Sequence, residues 1–190
     1  MSESPTVRPM TSDDLEALPA SKKVDRWLFR GELRESKVTK RNPHHSAAVS
    51  SLTALLVGWL KQQPKPRGRV YSGEAYFRLR KDPETNVGID VALATPEQAS
   101  AVKKKSTFVD GAPLLAVEVL SPNDKQRDIS DAIEEHLDCG TRQVWIVDPV
   151  AETVTAYRAN AEPVLYARSQ ELPGGDTLPG FRCSVAEIFE

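Results

Sequence analysis

The chain of 190 residues is 39% hydrophobic and 27% charged, with a formal net charge of −2. Such a balance suits one soluble globular domain whose core needs no staples, and it excludes a molecule that attracts polyanions over its whole surface. The two cysteines, Cys139 and Cys183, make neither a disulfide framework nor a zinc site, so a reducing, cytoplasmic setting is the expectation.

Residues 1–20 read as a polar leader carrying a short helix, and residues 21–190 as the single domain. The leader has no basic start followed by an apolar run, so it does not read as a signal peptide. Its helix lies in "TSDDLEAL", where an N-cap residue precedes acidic first-turn residues. "RWLFRGEL" and "ESKVTKR" predict two strands around a turn near Arg34. The clearest helix is "NPHHSAAVSSLTALLVGWLKQQ". Asn42 caps it, Pro43 fits its first turn, and Ala48, Leu52, Leu55, Leu56, Trp59 and Leu60 form an apolar stripe at helical spacing. Serines interrupt this stretch, and it is too short to span a bilayer, so no membrane partner is expected.

"KPRGR" (65–69) predicts a loop, and "RVYSGEAYFRLR" a strand or hairpin with Ala75, Phe77 and Leu79 on one side. "VGIDVALA" (87–94) and "LLAVEVL" (114–120) are nearly continuous apolar runs, the pattern of central strands covered on both faces. A helix follows Pro122 in "NDKQRDISDAIEEHLDCG" and stops at Gly140. Its inward stripe is Ile129, Ala132, Ile133, His136 and Leu137. "QVWIVD" predicts another buried strand. "TVTAYRA" and "PVLYA" continue a meander, and "SVAEIF" closes the chain as a short helix. The order predicts an α/β fold with a mixed central sheet flanked by helices. Three local basic clusters, "KVTKR" (37–41), "KPRGR" and "KKK" (103–105), offer contacts to phosphates.

Two residues break the apolar pattern: Asp90 in one central run and Glu118 in the other. Burying an unpaired carboxylate costs several kcal/mol, about that much even after relaxation, so such groups are paired, neutralised or bound to metal. Two acids on neighbouring strands can converge at one sheet edge and hold Mg²⁺, which takes few protein oxygens and keeps several waters.

The ordered set "GEL", a histidine heading the long helix, "VGIDVALA", "VEVLSPND", "RDI…EEHLDCG", "QVWIVDP", "TVTAYR" and "LPGF…VAEIF" resembles the Uma-type restriction endonuclease family. That family is a branch of the PD-(D/E)XK nuclease superfamily, and the resemblance spans nearly all of residues 27–189. It implies a restriction-endonuclease-like fold and a metal-dependent endonuclease using Mg²⁺ or Mn²⁺. DNA is the implied partner, and a homodimer fits the same reading. Carried over by position, the metal acids fall on Asp90 and Glu118, with Glu32 as accessory acid; His45 matches a histidine common in the family. The chain departs from the pattern where a catalytic lysine belongs. Leu120 stands two residues after the glutamate, and Ala132 stands where this branch carries a helix lysine. Lys125, on nearly the same helical face roughly 10 Å away, is the candidate to replace that lysine as a catalytic residue, with Arg127 second. Ala132 also supports an alternative, a non-catalytic nuclease-fold module that binds DNA or protein.

Overall fold

The structure is a computed structural model that describes residues 8–19, 21, 24–37, 42–122 and 124–190. Helix α1 (Ser12–Glu16) starts at Thr11, whose hydroxyl accepts from the Asp14 N–H while the Asp14 carboxylate accepts from Thr11 N–H, a complete capping box. The helix is tied to the rest of the molecule. Ser12 is buried, and its backbone N–H donates to Glu84 at 2.8 Å.

Strands β1 (Val24–Phe29) and β2 (Glu32–Lys37) form an antiparallel hairpin. Its turn is at Arg30 and Gly31, with φ of 53° and 76°, and not at the expected Arg34, which pairs with Trp27 in mid-strand. A two-residue hairpin turn of this hand needs left-handed backbone at both centres, and Gly31 accepts it without a Cβ penalty.

Helix α2 (Pro43–Gln62) follows the expected pattern: Asn42 Oδ1 accepts from His45 N–H at 2.8 Å, and Ala48, Leu52 and Leu56 are buried. Strands β3 (Arg69–Lys81) and β4 (Glu84–Ala94) make a long hairpin. Its register slips between Ser72 and Ala75, where Gly73 and Glu74 have φ of 78° and 60°, a bulge in β3. After helix α3 (Pro96–Ala101) and the short strand β5 (Val109–Asp110) come β6 (Leu115–Val119), helix α4 (Gln126–Asp138) and β7 (Gln143–Asp148). Strands β6 and β7 run parallel, so α4 is the crossover between them. Strands β8 (Thr153–Tyr157) and β9 (Val164–Ala167) complete the meander. A small separate pair, β10 (Glu171–Pro173) and β11 (Arg182–Ser184), precedes helix α5 (Ala186–Phe189).

The main sheet runs β2-β1-β4-β6-β7-β8-β9, with β3 paired to the other edge of β4 and β5 paired to β3. One face packs Val91, Leu93, Leu115, Val117, Trp145 and Val147 against α2 and α5. On the other face Ile133 of α4 meets Val144 and Ile146. Both central apolar runs are therefore covered on two sides, which explains why they lack the alternation of a half-exposed strand. Among the described residues no helix is long and apolar enough to cross a membrane.

One feature of the sheet positions the two central acids. Along one edge β4 pairs with β3 throughout, but along the other its partner changes. Asn86 pairs with Leu28 of β1, while Val91 to Leu93 pair with Val117 to Leu115 of β6. Between Asn86 and Val91 that edge has no ladder partner, and the sheet forks.

Candidate active site

Asp90 and Glu118 are the next residues on their strands beyond the pair Val91–Val117, so both stand at the mouth of the fork. There side chains replace the missing ladder. The Val119 N–H donates to Asp90 Oδ2 at 2.9 Å, and the Asp90 N–H is turned toward the Glu118 carboxylate. Each acid thus accepts from the other strand's backbone, and the two carboxylates are held together where the strands part.

Each acid also meets an imidazole. His45, buried at the start of α2, places Nε2 3.2 Å from Asp90 Oδ2. His136, buried on α4, places Nε2 3.4 Å from Glu118 Oε1. The cap at Asn42 and the first turn of α2 aim His45. The inward stripe of α4 aims His136.

Burial pushes the Glu118 carboxyl above the usual carboxylate range; the hydrogen bond from His136 opposes this, and the negative charge of Asp90 adds to it. Glu118 keeps 26% of its side-chain surface accessible. Its carboxylate is nonetheless surrounded by protein on most sides, and that enclosure dominates the shift. The site therefore combines two like charges, partial burial and an opening to solvent. Such an arrangement favours a cation or a shared proton.

The other residues singled out in the sequence are placed as follows by the fold. Glu32 is on β2, exposed, with its carboxylate 3.6 Å from Arg34. It is two strands across from β4 and farther along the sheet, roughly 15–20 Å from Asp90 by strand spacing and rise; the fold does not bring it to the pair. Lys125 is the exposed N-cap of α4, because that helix begins at Gln126 rather than directly after Pro122, and it makes no ion pair among the described residues. Arg127 is exposed as well, and His44 faces away from the buried His45. Ala132 is half-buried one turn before His136, on the side of α4 turned to Glu118. Of "KVTKR", residues 38–41 lie outside the described residues. The residue that sequence reasoning left unassigned is His136. Its position in the inward stripe was visible, but an imidazole in such a stripe does not announce which strand residue it meets.

Comparison with known proteins bears on this geometry. The profile of one family, Uma2, described as "Putative restriction endonuclease", matches residues 12–186. No curated protein matches the chain. A solved structure described as "a putative nuclease belonging to DUF820", from Anabaena variabilis, superposes with a TM-score of 0.76 at 20% identity, covering 95% of this chain and 98% of that one. At such identity the likeness speaks for the fold, and it agrees with the mixed sheet and flanking helices. With the family profile covering all but the ends, the chain belongs to the Uma2 restriction endonuclease family and has a nuclease-like fold.

Proposed function

We propose that the protein is a metal-dependent endonuclease that hydrolyses phosphodiester bonds in DNA, with Asp90 and Glu118 as the acids that hold Mg²⁺ or Mn²⁺. The observation that carries this reading is the meeting of two carboxylates at the fork, one of them raised by burial and by the charge of the other. The donor set fits a hard divalent cation. Mg²⁺ binds through one or two carboxylates and keeps its remaining waters, so two oxygen-bearing side chains suffice. Among the described residues no group of three or more His, Cys, Asp or Glu side chains forms a cage, and the fit therefore rests on this pair.

When bound, such a cation polarises a phosphoryl oxygen and lowers the pKa of its water. The chain's own residues do the rest. Asp90 is fixed by Val119 N–H and His45, which leaves little freedom for its carboxylate to turn away. Glu118 is held from α4 by His136. Asp90 is buried and Glu118 keeps 26% of its side-chain surface accessible, so a phosphodiester would approach from the Glu118 side.

A second reading is favoured by Ala132. An alanine cannot stabilise charge developing on a phosphorus-bound oxygen, and Lys125 is an exposed N-cap residue with no ion pair among the described residues. In this reading the fold binds nucleic acid or protein without cleaving. Nicking of supercoiled plasmid with Mn²⁺ or Mg²⁺ separates the two. We expect nicking by the wild type, its loss in Asp90→Ala and Glu118→Gln, no change in Lys125→Ala, and faster nicking in Ala132→Lys. A wild type that never nicks, with cleavage appearing only in Ala132→Lys, would establish the second reading instead.

A further inference from the structure

We infer that His136 is the positioning residue that α4 supplies to this site: its Nε2–H donates to Glu118 and holds that carboxylate toward Asp90. The inference rests on the metal-site reading above and adds a residue to it.

Three observations support it. His136 is 2% exposed, and Nε2 lies 3.4 Å from Glu118 Oε1, close enough to tighten into a hydrogen bond when the carboxylate is drawn into place. Its other nitrogen, Nδ1, is buried and has no hydrogen-bond partner among the described residues. A ring that only filled space would do so more cheaply as an apolar side chain, because an unpartnered buried nitrogen carries a desolvation cost. The ring is also well held. Its backbone carbonyl accepts from Thr141 N–H at 2.9 Å in the helix-ending turn at Gly140, and Ile133 anchors the same helix face on Val144 and Ile146. A ring that donates to Glu118 does so from Nε2, and outer partners of metal ligands commonly orient them by such a bond.

Binding of Mn²⁺ alone, measured by calorimetry on the full chain, tests this. His136→Phe keeps the ring and removes the donor, whereas His136→Gln keeps an N–H at similar reach. We expect H136F to weaken Mn²⁺ binding by about 10–100-fold while its metal-free melting temperature stays near that of the wild type, and H136Q to bind within a few-fold of wild type. If H136F does not fold, His136→Met gives the same comparison with an adaptable side chain. Undiminished binding in the donor-less variant would overturn the inference, as would equal loss in H136F and H136Q, which would mark a packing role. A wild type that binds no Mn²⁺ would overturn the metal-site reading itself, an outcome distinct from either of these.

Discussion

Two glutamates, Glu118 and Glu135, sit in the same layer between α4 and the sheet, and their partners give them opposite characters. Glu135 is 1% exposed and receives Arg30 Nε at 2.7 Å, Arg80 Nη2 at 3.0 Å and the Thr85 hydroxyl at 2.6 Å. Burial alone would push its carboxyl up, but the hydrogen bonds from Thr85 and Arg30 and the charges of both arginines bring it below the usual range. Glu118 has no guanidinium or hydroxyl partner among the described residues, only the His136 imidazole and the backbone and charge of Asp90, and burial pushes it the other way. Glu135 is thus a structural cross-link between the β1–β2 turn, β3, β4 and α4. Glu135→Ala should cost about 1–3 kcal/mol, since it removes a buried acceptor and leaves the Thr85 hydroxyl and two partly exposed guanidinium groups without it; urea unfolding checks this. The sign of the pH effect follows from the depressed folded value. The stabilisation is present above the ordinary glutamate range near ~4.3 and is lost as pH falls through the folded value. The wild-type urea midpoint should therefore drop below about pH 5 more steeply than that of Glu135→Gln, and parallel curves would show that other groups dominate.

At the scale of elements, the sequence was most legible where cap and stripe agree. Helix α2 has both, and Asn42 has a second task because the N–H that it caps belongs to His45, the partner of Asp90. Asn42→Ala should cost about 1 kcal/mol in thermal or urea unfolding. Helix α3 was not anticipated. Six residues are too few to show an apolar period, although its Thr95–Gln98 capping box was present in the sequence. The start of α4 was placed too early because Pro122 marks where a helix cannot continue backward, not where the next one begins. The real start puts Lys125 at the exposed cap. The turn at Arg30 and Gly31 was misplaced for a related reason: two consecutive left-handed residues depend on the twist of the paired strands, and a non-glycine such as Arg30 gives little warning of one.

For the whole molecule, the decisive structure is a central sheet covered on both faces. Leu52 of α2 lies fully buried in the larger core cluster, and Leu52→Ala should cost about 2–5 kcal/mol, seen as a shifted urea midpoint with one cooperative transition. The sheet-and-helix architecture was legible from the sequence because apolar period and run length follow directly from what each element must bury. So was the oddity of Asp90 and Glu118, because a carboxylate in an apolar run is costly wherever the strand ends up. By itself, then, the chain determined the class of the fold, the long helices and the two misplaced acids. Only the tertiary structure decided that these acids meet where β4 changes partner from β1 to β6, that His45 and His136 close on them from separate helices, and that Glu32 stays apart. Register and strand order bring together residues far apart in the chain, and periodicity within a single element contains no information about either.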